Sequence, residues 1–464
     1  MEPFFTNDAV VFGLLMILLA GIFYTSHLDK PSWKKFYTYV PALLLCYFLP
    51  AILHWPLGLV ASEWFDPSFL EFLSSKNLVL PDSSMSFSEI KNFLEGSGIA
   101  ESEYKSYIKH SNLYFMASRY LLPASLVLLC LSIDFKGIIN LGPKALIMFF
   151  AATLGIVIGG PIALLVVLYV APDLFSATPD EIWRGLSTVA GSWIGGGANQ
   201  TAMKEVYNVG SIFTTMVVVD VVVANIWMGF LLYGANISDR LDIWLKADAS
   251  AIEDLKQKVA DYRASIAEMP TTTSLFVMLG IAFGAVALSH WGADVVSASM
   301  KEIKETLAAY GLNSLASHFF WLVVFATTIG LTLSFTKARK LEGIGASRWG
   351  SIFIYILVAT IGMHMNVGDV FSNLGLFAVG LVWMAIHVII LLFTAKIIKA
   401  PFFFVAVGSQ ANVGGAASAP IVASAFSPSL APVGVLMAVL GYAIGTYGAI
   451  ICAELMRVVA TSIF

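Results

Sequence analysis

Apolar residues gather along this chain in blocks, and polar residues sit between the blocks instead of alternating with them. A bilayer's hydrocarbon core needs roughly 20 apolar residues per helix, so each block predicts a crossing helix. Candidate spans fall at 8–26, 36–55, 112–133, 144–170, 210–234, 272–291, 317–336, 349–366, 373–397 and 431–456. Two further stretches, 181–208 and 401–427, are apolar enough to enter a membrane but are broken by glycine and small polar residues. Two segments are soluble in character. Residues 57–110 carry Glu63, Asp66, Glu71, Asp82, Glu89 and Glu95 among serines and predict a small external cap. Residues 238–270 repeat apolar positions at helical spacing with charges between them, which predicts an amphipathic surface helix.

Composition agrees with a membrane solvent. Of 464 residues, 58% are hydrophobic and 12% charged, against about 25% charged in a soluble domain. The net charge of -4 and the lack of a large basic cluster argue against a nucleic-acid partner. Cys46, Cys130 and Cys452 lie in apolar runs, with neither metal-ligand spacing nor a disulfide framework. The first apolar run follows Glu2 and Asp8 and lacks a basic leader with a small-residue cleavage site, so it reads as a retained span.

Basic residues orient the spans, because cytoplasmic loops collect lysine and arginine. The clusters are Lys30, Lys34 and Lys35; Lys136 and Lys144; Lys337, Arg339, Lys340 and Arg348; and Lys396 and Lys399. If every stretch crossed once, the last two clusters would fall opposite the first two. If the broken stretches enter and leave on one side, all four clusters are cytoplasmic, residues 57–110 are external and ten helices cross. The second arrangement is the preferred expectation. Its rival keeps the broken stretches as crossing helices and places the parity change around residues 236–316.

The broken stretches resemble each other. GSWIGGGANQTAMKEVY (191–207) and GSQANVGGAASAPIVASAF (408–426) each carry Gly-Ser, then Ala-Asn, then small residues, and each precedes a long glycine-containing span. Upstream, YLLPASLVLLCLSID matches SIFIYILVATIGMHM in position, and ALIMFFAATLGIVIGG matches LFAVGLVWMAIHVII. Weak twofold similarity with paired broken helices is the mark of transporter repeats, and the orientation argument gives them opposite directions. The expected organisation is N-terminal spans (1–56), an external insertion (57–110), a first repeat (111–235), an amphipathic linker (236–271), and further spans with a second repeat (272–464).

Glycine breaks at membrane depth need backbone that is buried in protein or lines a wet cavity. Gly195, Gly196 and Gly197 form the first break, flanked by Asn199, Gln200 and Thr201; Gly414 and Gly415 form the second, flanked by Ser409, Gln410 and Asn412. Freed carbonyls can coordinate a cation and half-helix N-termini can receive an anion. Neutral oxygens suit sodium, with Asn199 and Asn412 as its candidate ligands. Close helix packing through small residues is the plainer alternative; two matched clusters, each with an asparagine, favour a binding site. Asp220 sits mid-span, where an ionisable group is costly and functional by default. Arg119 is a candidate charge partner or clamp for a substrate carboxylate, with a structural pair or a headgroup position as the alternative. His387 could carry a proton, though a lone membrane histidine is more often a packing residue. Asn225, Tyr442 and Tyr447 are secondary candidates, His364 beside Asn366 and Asp369 reads as interfacial, and Pro123 and Pro161 as kink sites. No HExxH, Walker loop, GxSxG or paired-carboxylate motif occurs, which argues against an enzyme, a bound cofactor and ATP-driven pumping.

At GGGANQTAM, and at SQANVGGAASAPIVASAF followed by GVLMAVLGYAIGTYGAI, the sequence resembles the YjcL-like membrane proteins, domain of unknown function 819. The second motif is close to that family's ASNANIGGPATA pattern, with Gln410 replacing its first asparagine and Ala416 its proline. Asp220 matches an acidic residue common in the family's span after the first motif. The likeness covers most of the chain outside 57–110 and 238–270 and implies no substrate. More distantly the arrangement looks like the glutamate–sodium, citrate and bile-acid-type sodium symporters, which implies an elevator carrier.

The expectation is therefore an all-α polytopic membrane protein with two inverted repeats, in the bacterial inner (cytoplasmic) membrane. It would couple sodium or protons to a small anionic or zwitterionic organic solute, as a homodimer held by its scaffold helices. The alternatives are a cation/proton antiporter using Asp220 and a membrane sensor that binds without translocating.

Overall fold

The computed structural model describes residues 3–463 apart from 41, 82–84, 86, 134–138, 140, 248–268, 310–312, 364–373 and 428–429. His364, Asn366, Asp369 and most of the 238–270 linker therefore lie outside the described residues. The chain divides into two compact units, 1–119 with 355–367, and 120–354 with 368–464.

The first unit starts with α1 (Asp8–Ser26), α2 (Pro31–Tyr39) and α3 (Ala42–His54). Asn7 caps α1 by accepting from the Ala9 amide at 2.9 Å. The carboxylate of Asp8 accepts from Ser111 Oγ (2.6 Å) and the Asn112 amide (3.0 Å), which ties the start of α1 to the end of the insertion. The insertion holds the antiparallel strands β1 (Glu63–Phe65) and β2 (Ile108–His110), with α4 (Phe69–Ser75), α5 (Phe87–Gly96) and α6 (Glu101–Tyr104) between them. Phe65, Phe69, Phe72, Leu73, Ile90, Leu94 and Tyr104 give it a small core of its own. This two-stranded ribbon is a departure from the all-α expectation, and it sits in the soluble segment where short amphipathic pieces can pair.

The second unit takes in most of α7 (Leu113–Leu131), then α8 (Pro143–Val170), α9 (Pro179–Gly195), α10 (Gly197–Val206), α11 (Ile212–Asn236), α12 (Ser238–Leu245), α13 (Thr272–Glu302), α14 (Lys304–Ala309) and α15 (His318–Ser334). Helices α16 (Ala346–Gly362), α17 (Leu374–Ile398), α18 (Phe402–Val413), α19 (Gly415–Phe426) and α20 (Ala431–Ile463) follow. The protein is thus a helical, polytopic integral membrane protein. Among the described residues seven helices are long and apolar enough to cross a bilayer, or eight if α15 is joined to the 3-10 turn Lys337–Ile344, bent from it by 95°. Ten crossings are expected from the sequence. The candidate at 36–55 is split into α2 and α3, and that at 349–366 becomes the 17-residue α16, about 26 Å at 1.5 Å per residue.

Small residues set the packing of the second unit. Gly155 and Gly159, four apart on α8, face α17 closely: a methyl group added at Gly155 would lie 3.2 Å from His387, and one at Gly159 2.8 Å from the Trp383 ring. Such small-xxx-small spacing lets membrane helices approach. Helix α20 does the same for both broken elements, with Gly441 against the carbonyl oxygens of Ile194 and Ala411 and Gly445 against Gly195. One apolar core gathers around α8, α18, α19 and α20, and a second joins α7, α13 and the start of α16. Pro161 lies inside an α8 that continues through it, and Pro123 follows a π turn at Ala117–Leu121.

Candidate functional site

Both glycine-rich stretches are helix breaks. Thr178 and Glu181 form a capping box that starts α9, with Pro179 in its first turn. The helix ends at Gly196, whose φ of 77° and ψ of -172° suit glycine alone. Beyond it the chain reverses: a methyl group added at Gly191 would lie 2.6 Å from the carbonyl oxygen of Asn199, whereas eight residues of straight helix span about 12 Å. At the second break Gly415 has φ 58°, and Gln410 Nε2 donates to Ser418 Oγ at 2.7 Å. Those residues are again eight apart, so the arms of α18 and α19 fold together. Each of these two arms has 12 residues, about 18 Å, which reaches into a bilayer core of about 30 Å but not across it.

The two breaks meet. A methyl group added at Gly415 would stand 3.9 Å from Gly196 Cα. Helix α10 begins at one break and α19 at the other, and their N-cap residues, Gly196 and Gly414, have no side chain with which to cap them. Gly197 lies in the first turn of α10, and a methyl group added at Gly196 would lie 3.9 Å from the Tyr442 ring of α20.

Around the first break the buried polar groups are closed on one another. Asp220, 5% exposed on α11, accepts three hydrogen bonds: from Trp193 Nε1 (2.7 Å), Ser192 Oγ (2.6 Å) and Gln200 Nε2 (2.9 Å). All three donors are neutral, and they come from both arms of the first element. Asn199 donates to Gly195 O (3.0 Å) and accepts from Thr446 Oγ1 (2.7 Å), which lies 3.1 Å from Thr327 Oγ1 on α15. Thr201 donates to Gly197 O.

The second break is built on a parallel plan. Asn412 donates to Gly408 O (3.0 Å) and Phe149 O (3.2 Å) and accepts from Thr153 Oγ1 (2.8 Å). Each asparagine therefore bonds the carbonyl four residues back and takes a threonine hydroxyl from a neighbouring long helix, α20 or α8. Ser409 Oγ accepts from Trp227 Nε1 (2.8 Å) and lies 2.8 Å from His387 Nε2. His387 Nδ1 is 3.1 Å from Ala152 O; a carbonyl can only accept, so Nδ1 carries hydrogen and a neutral ring leaves Nε2 to take the Ser409 proton. Gln410 differs from the rest. It is 2% exposed, and among the described residues its Oε1 has no hydrogen-bond donor.

Of the residues singled out from sequence, Gly195, Gly196, Gly197, Asn199, Gln200, Thr201 and Asp220 gather at the first break, and Ser409, Gln410, Asn412, Gly414 and Gly415 at the second. His387 joins the second group through Ser409. Arg119 stands in the first unit, half-buried on the π turn, and the three hydrogen bonds to Asp220 come from elsewhere. Asn225 donates to Val221 O on its own helix and Tyr447 pairs with Thr328. Sequence reading missed Ser192, Trp193, Trp227, Thr153, Thr446 and Ser418. Trp227 was within reach, seven residues and so two turns beyond Asp220 on one face; threonines inside apolar helices give no such signal. It also missed Asp242 of α12, whose carboxylate accepts from the Phe402 amide (2.7 Å) at the start of α18.

The chain is 24% identical over 341 residues to the uncharacterized membrane protein YjcL of Bacillus subtilis (strain 168), covering 73% of this chain and 82% of that protein. A family model described as protein of unknown function (DUF819) matches residues 102–459, which takes in both breaks, Asp220 and His387. The chain belongs to the DUF819 family of membrane proteins.

Proposed function

We infer that this protein is a secondary active transporter that couples sodium or protons to a small organic solute, anionic or zwitterionic. The observation that carries the reading is the meeting of two helix breaks, Gly196 against Gly415, inside a polytopic helical protein. Broken helices at membrane depth belong where backbone lines a path, and paired ones are the usual site of ion and solute in secondary carriers. The breaks sit in two runs of elements in the same order, α7 to α11 and α16 to α20, which supports inverted repeats.

An elevator motion fits the packing. The core around α8 and α18–α20 carries the second break, and α9 of the first packs along α20; the cluster of α7, α13 and the start of α16 forms the scaffold against which they slide. Contact between α20 and α15 includes Thr446 with Thr327 and Tyr447 with Thr328. Helix α13 shows lipid or a second copy Phe276, Leu288, Trp291 and Val295, which supports a scaffold-mediated homodimer in a bacterial inner membrane. Asp220 would carry or tune the coupling charge. The asparagine oxygens each keep a second lone pair that sodium could share with carbonyls of the breaks.

The test is uptake of labelled solutes by proteoliposomes under a sodium gradient, a proton gradient, or neither. Gradient-driven accumulation lost on substitution of Asn199 and Asn412 is expected. Cation-driven pH change with no solute present would replace the symporter with an antiporter, and solute binding without uptake would point to a sensor.

A further inference from the structure

Two features coincide at the junction. The N-termini of α10, with 10 residues, and α19, with 12, come together with no side-chain cap. The first N–H groups of a helix lack an acceptor one turn back, although here the Asn199 amide reaches the Gly196 carbonyl at 3.0 Å, and the helix dipole adds partial positive charge, so this place attracts an anionic group. The second feature is independent of the first. Gln410 turns its amide against Gly414, since a methyl group added there would lie 2.2 Å from Nε2. Its Nε2 is spent on Ser418 while Oε1, buried beside the break, is left without a donor. A buried carbonyl oxygen without a donor is costly.

The two features ask for different things. Uncapped N–H groups need an acceptor, which a bare cation cannot supply. Gln410 Oε1 needs a donor, which a simple carboxylate cannot supply. The amide oxygens of Asn199 and Asn412 already accept one threonine hydroxyl each, so any sodium there would use their second lone pairs and would leave the helix N-termini without an acceptor. We propose that the junction binds a small solute carrying both a carboxylate and an N–H or O–H donor, the carboxylate at the N-termini of α10 and α19 and the donor on Gln410 Oε1. α-Amino acids and α-hydroxy acids share this chemistry. This rests on the transporter reading for its biological use, but the site itself is a matter of binding.

The experiment is thermal stabilisation of the purified full-length protein by matched trios: alanine, lactate and propionate, then aspartate, malate and succinate. Bound ligand raises stability by linkage. The amino or hydroxy member of at least one trio should bind roughly ten- to a hundredfold more tightly than the unsubstituted acid, the range of one buried hydrogen bond left unmade. Which member wins tells an ammonium donor from a hydroxyl. Gln410→Met should abolish the preference, and Gln410→Glu, which keeps an acceptor oxygen, should retain it. The wild-type series alone overturns the proposal if the unsubstituted acids bind equally well or if none of the probes binds. So does a Gln410→Met protein that keeps the preference, or one whose sodium dependence alone changes. Uptake of the same probes into proteoliposomes is measured beside it: binding without uptake removes the transporter and leaves this site standing.

Discussion

At the first break, donors from both arms close on one carboxyl group: Ser192 and Trp193 from α9 and Gln200 from α10 meet on Asp220. At the second, among the described residues, a side-chain bond between Gln410 and Ser418 joins the arms, the first arm is held from outside by Trp227 and His387 through Ser409, and Gln410 Oε1 has no donor. The same residue vocabulary thus yields a locked element and one with bonding capacity to spare. The difference lies in what faces each Gly-Ser pair. Opposite Ser192 stands an acceptor with room for several donors; opposite Ser409 stands an imidazole that takes one. A closed polar network fixes a single arrangement, whereas an element with an unmet acceptor can gain a partner, and the solute recognition proposed for the second break rests on that difference.

The largest expected effect tests the lock. Asp220→Leu would orphan three buried donors at a cost of roughly 1–3 kcal/mol each, enough to consume most of a typical folding margin. Monodispersity and melting in detergent would register it; a variant as stable as the parent would mean that the first break is not held by this carboxyl group. The turns come next. Gly196→Ala places an alanine in a conformation open to glycine alone, costing about 1–3 kcal/mol, while Gly415→Ala at φ 58° costs about 1–2 kcal/mol. Both added methyl groups have space, so backbone strain alone decides, and Gly196→Ala should melt lower. The reverse order would undo the contrast between a rigid and an adaptable turn.

A smaller effect probes the shared plan. Thr446→Val and Thr153→Val each remove the hydroxyl donated to an asparagine, and about 1 kcal/mol is expected from either. Double-mutant cycles with Asn199→Ala and Asn412→Ala should give coupling of similar size at both breaks; coupling at one break only would show that the parallel is superficial. The smallest effect lies far from the breaks. Glu103 is held below the usual glutamate range by its hydrogen bond from Lys76, then by the Ala100 amide and the lysine charge. A depressed carboxylate stabilises above its unfolded-state value, and that contribution fades as pH falls through the folded one. Hydrogen exchange in the insertion, corrected for intrinsic rate, should rise on acidification less in Glu103→Gln than in the parent. Equal responses would exclude this pair as an anchor.

Much of the architecture was legible along the chain. Blocks of apolar residues marked the long helices, since lipid demands length and hydrophobicity from any helix that crosses it. Paired glycine clusters marked the breaks because glycine takes without steric penalty the positive φ found at Gly196 and Gly415. Span count was less legible: residues 36–55 look continuous in hydropathy but divide near Val40 into α2 and α3. The ribbon β1–β2 was not foreseen because strands of three residues leave no readable alternation. Arg119 and Asp220 were natural partners by charge alone, yet the three hydrogen bonds to Asp220 come from neutral groups contributed by the Gly-Ser-Trp run and Gln200.

Sequence by itself determined that this protein lives in a membrane, where it is interrupted, and which residues stand at the interruptions, for these follow from local rules of hydrophobicity and backbone freedom. Tertiary structure decided that the two interruptions touch, that Asn199 and Asn412 are spent on distant threonines, and that Gln410 keeps an oxygen in reserve. Those outcomes depend on which hydroxyl, indole or amide arrives from helices up to 263 residues away in the chain, and hydrogen bonds are settled by distance and angle, which a linear pattern does not contain.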